Sequence, residues 1–182
     1  MVQLFLMNMV SSNNPSRADN QQERPNPWWI VGFVDGEGCF SISFVKNKTV
    51  KFGYQIFTEF VLTQGEKSLG ALESVADYFA CGNIYRNNRH DNHKEPLYRY
   101  CVRSRTDLQT IIIPFFCKYQ LQTAKRFDFE VFAEVVAMMC EGKHLSEDGF
   151  MKIKELAAQT NRKKIRDLES SETTRRTPDS IR

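Results

Sequence analysis

Two acids in the stretch WWIVGFVDGEGCF, residues 28–40, have the type and placement to do chemistry: Asp35 and Glu37, separated by Gly36 and followed by Gly38. An apolar helical segment runs straight into them, and a strand pattern begins directly afterwards. Glycine imposes almost no steric restriction where a chain leaves a helix, so a carboxylate at this point is placed by the backbone. By itself Glu37 reads as a solvated acid at a helix end. The other reactive residue types carry less. Cys39, Cys81, Cys101, Cys117 and Cys140 are scattered, odd in number and without a CxxC, which indicates neither a disulfide framework nor a zinc ribbon. They are expected to be reduced and mostly buried. His90 and His93 are spaced in a way that hints at a metal, but no partner ligands are evident and both read as residues of a polar loop.

The elements that must position these acids are legible as changes of period. The chain has 182 residues, 41% of them apolar and 14 of them Phe, ample for one domain with a real core. Residues 1–27 read as a flexible leader, 28–164 as the folded domain and 165–182 as a polar tail. The opening MVQLFLMNMV has no basic residues before its apolar run, which argues against a secretory signal, while an organelle-targeting segment stays open. No apolar run is long enough to span a bilayer, so no membrane partner is expected.

After the helix around Trp28 and Trp29, which read as packing anchors, CFSISFV alternates strictly. Phe40, Ile42 and Phe44 lie on one side, and Cys39, Ser41, Ser43 and Val45 on the other. NKT signals a turn, and VKFGYQIFTEFVLTQ resumes as the second strand of a hairpin. EKSLGALESVADYFA has helical spacing and is stopped by CGN; NIYRNN and LYRYCVRS then flank the polar loop RHDNHKEP as a second hairpin. RTDLQTIIIPFF reads as a short helix ending at Pro114, followed by helices over 123–140 and about 146–161. The expected fold is α+β, an αββαββα core with a four-stranded antiparallel sheet, all helices on one face and extra helices at the C-terminal end.

The other face of that sheet must then carry Ser41, Ser43, Lys51, Gln55, Arg99 and Arg103. The formal charge of +3 is only mildly basic, but between Lys46 and Arg126 thirteen Lys and Arg residues face seven Asp and Glu. A polar, basic sheet face of this width fits a DNA major groove. Lys46, Lys48, Arg86 and Arg89, in and beside the hairpins, are further expected DNA contacts, with His90 and His93 near the DNA backbone. Phe57, Glu59 and Val61 also fall on this face and suit it less, although Glu59 could accept a hydrogen bond from cytosine.

IVGFVDGEG, Ile30 to Gly38, resembles the nine-residue signature of the LAGLIDADG homing endonucleases. The element order after it and IIIPFFCKYQLQTAKRFDF resemble that family too, so that the likeness runs from about Trp28 to Lys164. The resemblance implies that Gly32 and Gly36 let two copies of the helix pack closely, with Ile30, Phe33 and Asp35 in the same interface. It implies that Glu37, where the pattern more often has Asp, binds a divalent metal with help from the Gly36 carbonyl. Mg²⁺ is the expected ion, with Mn²⁺ or Ca²⁺ able to substitute for binding. Asp35 would mainly fix the helix end. Gln64 would order water, and a basic residue, Lys118 or alternatively Lys125, would assist.

One motif supplies one half-site, so the implied enzyme is a homodimer on a roughly palindromic double-stranded target. It would hydrolyse phosphodiesters across the minor groove with short 3′ overhangs and support intron mobility. Its place would be intracellular, in a bacterial cytoplasm or an organelle carrying the host intron. Two alternatives stand beside this: a maturase that binds its intron RNA, and a catalytically inactive DNA-binding regulator. Neither needs a metal-binding acid, so the presence of Glu37 and Gln64 argues against both. An intein is disfavoured because no flanking splicing segments are present.

Overall fold

The computed structural model describes residues 25–87 and 96–160. Helix α1 spans Pro27–Glu37. Its start follows from Asn26, whose side chain caps Trp28 N at 2.8 Å, and from Pro27, whose missing N–H costs nothing in a first turn. Strands β1 (Gly38–Lys46) and β2 (Tyr54–Gly65) form the first hairpin, α2 (Leu69–Phe79) crosses the sheet, and β3 (Asn83–Asn87) and β4 (Leu97–Val102) form the second. The sheet is antiparallel in the order β1-β2-β4-β3, which puts β2 and β4 at its centre. Short helical segments α3 (Arg105–Asp107) and α4 (Ile113–Lys118) lead to α5 (Lys125–Cys140) and α6 (Glu147–Thr160). This is the α+β architecture expected from the sequence.

The core lies between the sheet and the helices. Phe40 and Phe60, register partners in β1 and β2, meet Phe116 of α4, and Phe40 also meets Phe129 and Phe132 of α5. Leu72, Val75 and Phe79 bury the apolar stripe of α2. Each such fully buried side chain contributes about 1.5–3 kcal/mol by leaving water, so the sheet's helix-covered face fixes the fold and leaves the opposite face to carry polar residues.

Three local expectations change. Pro114 does not end a helix: residues 105–118 are continuously helical, with a π-helical stretch at Leu108–Ile112 just before it. Proline removes the N–H that would bond Thr110 and crowds that carbonyl. The wider turn, closed by Ile113 N–H to Leu108 O, accommodates it. The first hairpin turns later than expected, with Gly53 at φ +70 in the connection, so β2 begins at Tyr54 and leaves Lys48 and Lys51 in the turn. The thiols are also less buried than expected: Cys39 and Cys117 are exposed, and only Cys101 is fully enclosed.

Candidate active site and the open sheet face

The end of α1 is held from two sides. Asp35 is clasped by the segment that starts α5: its Oδ2 accepts from Gln122 N at 2.8 Å, and its Oδ1 from Thr123 N at 3.3 Å and Thr123 Oγ1 at 2.7 Å. Thr123 Oγ1 in turn accepts from Lys125 N at 3.2 Å, so one acid organises the first turn of a helix far away in sequence. Gly38 makes the exit from α1 possible. A Cβ there would lie 2.5 Å from Val34 Cγ1 and 2.7 Å from Val34 O, so only glycine lets β1 leave this close to the helix.

Glu37, the last residue of α1, is exposed and makes no hydrogen bond or ion pair among the described residues. Beside it stands Lys125. Its Nζ donates to Gly38 O at 2.5 Å and lies 3.4 Å from Gly36 O, which fixes an ammonium against the backbone on both sides of Glu37. Lys118 goes elsewhere. It is exposed at the end of α4, 5.1 Å from the Tyr119 ring centroid, and that ring meets Trp28 edge-on at 5.5 Å. Trp28 is in the first turn of α1, about 14 Å along the axis from Glu37 at the usual helical rise. Gln64 lies on β2 two positions past Leu62, the register partner of Gly38, and is half-buried.

Around its axis α1 divides cleanly. Ile30, Val31 and Val34 are buried in the chain's own core. Ile30, expected at an interface between copies, is therefore internal, because steps of about 100° per residue turn it away from Gly32 and Gly36. The opposite side carries Trp29, Gly32, Phe33 and Gly36. Trp29 is 45% exposed and stacks on Phe33 at 5.3 Å, and nothing lies within 4 Å of a Cβ placed on either glycine. Trp28 is 55% exposed, so the two tryptophans pack at the surface, Trp28 on Tyr119 and Trp29 on Phe33, and not in the core.

The open sheet face runs from this helix end outwards. Register pairs place Cys39 opposite Val61, Ser41 opposite Glu59, Ser43 opposite Phe57 and Val45 opposite Gln55. Arg99 and Arg103 of the β4 segment lie on the same side, as expected from the alternation. Both contact Glu59: Arg103 Nε donates to its Oε2 at 2.7 Å, and Arg99 Nη2 stands 3.5 Å from its Oε1. Burial alone would lower the Arg103 pKa, but the bond to Glu59 and its charge more than offset this and raise it. Burial pushes the Cys101 thiol up, opposed by the charge of Arg99.

Of the expected DNA contacts, Ser41, Ser43, Gln55, Arg99 and Arg103 share this face. Lys46 does not: it pairs with Tyr54 and has the parity of Phe40, Ile42 and Phe44, the helix-covered side. Arg86 pairs with Tyr98 and is likewise on that side. Lys48 and Lys51 belong to the turn, and Arg89, His90 and His93 lie outside the described residues. Tyr85, not singled out in the sequence, reaches the open face opposite Arg99; the alternation in NIYRN carried that signal.

The model of the LAGLIDADG endonuclease family matches residues 30–136, more than half of the chain. The chain belongs to this family. A relative in Neurospora crassa, a probable intron-encoded endonuclease, is 35% identical over 136 residues, covering 75% of this chain and 29% of its own. Among solved structures, the homing endonuclease I-TnaI is 36% identical with a TM-score of 0.71, over 81% of this chain and 95% of that one. I-SmaMI, solved with an uncleaved DNA target in the presence of calcium ions, is 31% identical with a TM-score of 0.71, over 78% of this chain and 47% of its own. The chain spans between 26% and 49% of the length of the first curated relatives it matches. In this LAGLIDADG chain the signature is α1 and its exit, and the sheet beneath is the homing-endonuclease fold. Among the described residues no three His, Cys, Asp or Glu side chains group as a metal site, and no helix is long and apolar enough to cross a membrane.

Proposed function

We propose that this chain is one subunit of a site-specific DNA endonuclease. Two copies would join through the open side of α1 on a pseudo-palindromic target and make a double-strand break by metal-dependent hydrolysis, in support of intron mobility. The observation that carries this reading is the exposed, unpaired carboxylate of Glu37 at the end of a helix whose outward side, Trp29, Gly32, Phe33 and Gly36, is open. Close approach of two such helices through their glycines would bring both Glu37 carboxylates together beside the two sheet faces.

The donors fit a hard divalent cation: a Glu37 carboxylate oxygen and the Gly36 carbonyl oxygen from each copy, which alone are too few and which a second chain and the DNA phosphates would complete. Bound there, Mg²⁺ supplies polarisation of a phosphate oxygen and a water of lowered pKa, with Ca²⁺ or Mn²⁺ as substitutes for binding. Lys125 is the better candidate for the basic residue than Lys118. Tethered to the Gly38 carbonyl, its ammonium presents a fixed positive charge beside Glu37, where a scissile phosphate gains negative charge. Gln64, near the end of β2 on the same parity as Leu62, would order water in this site, and Asp35, with both oxygens engaged, would hold the helix end rather than react.

The test joins the DNA flanking the host intron without the intron and offers it to the purified protein with Mg²⁺. The expected result is a double-strand cut at the junction, none in a scrambled sequence, and binding without cutting in EDTA or Ca²⁺. Binding of the intron RNA with no recognition of the junction would instead favour the maturase.

A further inference from the structure

On the open side of the sheet, away from the helices, Val61 and Cys101 are only 5% and 3% exposed. They are register partners in the two central strands, and Arg99 is the partner of Thr63 one row further along. For Arg99 to stand 3.5 Å from Glu59, which lies one row beyond Val61 in the other direction, its side chain must cross the Val61–Cys101 row. Glu59, Arg99 and Arg103 therefore roof this small apolar patch. Glu59 is 19% exposed with both carboxylate oxygens occupied, whereas Arg103 is 51% exposed. Arg103 is pinned at Nε by Glu59, and its guanidinium carbon lies 5.9 Å from the Tyr85 ring centroid.

An arginine held at Nε leaves its end-on edge, one N–H from each terminal NH₂ group, as a planar fork that matches O6 and N7 of guanine. The same arrangement is poor for gripping a phosphate: the carboxylate that orients the guanidinium also cancels its charge and repels an anion. Nor is Glu59 free to accept from cytosine. Resting on the proposal that this face binds DNA, we infer that Glu59 is a positioning residue that presets Arg103 to read a guanine in each half-site, with Arg99 bracing the carboxylate from the other side.

Selection of bound half-sites from randomised DNA by the full chain tests this. The parent selects guanine at one position under β4. Arg103→Ala loses that preference alone, and its affinity for the guanine site falls about tenfold or more. Glu59→Ala weakens the same preference while its affinity for random DNA rises and its salt dependence steepens by about one phosphate contact. Glu59→Gln, which keeps an acceptor for Arg103 Nε but not the charge, restores most of the guanine preference; a purely electrostatic role would not give this rescue, and a purely structural one would not confine the loss in Glu59→Ala to the guanine position. If Arg103→Ala weakens all sequences equally, or Glu59→Ala leaves the preferences unchanged, the inference is overturned while DNA binding stands. A parent that binds no DNA overturns the DNA reading and this inference with it.

Discussion

Inward-facing Ile30, Val31 and Val34 are buried in the core, whereas Trp29, Gly32, Phe33 and Gly36, on the other side of the same helix, face open space. The acids at the helix end divide in the same way. Asp35 has both oxygens engaged by Gln122 and Thr123, while Glu37 has no partner among the described residues. So do the glycines: Gly38 is required by the chain's own packing, and Gly32 and Gly36 are not. Glycine in an exposed helix is destabilising by about 0.5–1 kcal/mol relative to Ala, so two open glycines and an unpaired acid serve nothing within the single chain. What α1 keeps inside stabilises this fold; what it leaves outside fits contact with another molecule.

Substitutions on the two sides should therefore separate folding from association. The largest expected effect on stability is from Ile30→Ala, a loss of about 2–5 kcal/mol in urea unfolding for an emptied core position. Gly38→Ala should cost about 1–3 kcal/mol through the clash with Val34, and Gly36→Ala should cost nothing or gain up to about 1 kcal/mol from helix propensity. Equal losses at both glycines would contradict this division of the helix. Asp35→Ala should lose about 1–3 kcal/mol by leaving the start of α5 without its acceptor, with Thr123→Val reproducing about 1 kcal/mol of this. Smallest in stability, Gly32→Leu should leave unfolding of the isolated chain within about 1 kcal/mol of the parent. The same change should weaken self-association at least about tenfold by sedimentation, since a branched side chain would hold two helices apart.

Much of this arrangement is written in the sequence. The alternation in CFSISFV and LYRYCV places Ser41, Ser43, Arg99 and Arg103 on one face, and the same rule applied throughout would have removed Lys46 and Arg86 from it. Charge alone does not say which face a strand residue takes. Steps of about 100° per residue would likewise have turned Ile30 inwards. Gly53 carried the turn signal that puts Lys51, with Lys48, outside the strands. What no local pattern holds is the fold-back that brings residues 122–125 onto Asp35 and the Gly36 and Gly38 carbonyls, more than eighty positions away in sequence. That contact distinguishes Lys125 from Lys118, and Glu59's hold on Arg99 and Arg103 is of the same non-local kind.

The most direct test of the account is the rate at which Glu37→Gln cuts the joined intron flanks in Mg²⁺, with DNA occupancy matched to the parent's. The substitution is nearly isosteric and disturbs no contact in the chain, so folding and DNA binding should persist. Loss of a metal-binding carboxylate should slow cutting by about 10³-fold or more, several kcal/mol of barrier. Cutting at close to the parent's rate would contradict the assignment of Glu37 as the metal-holding acid.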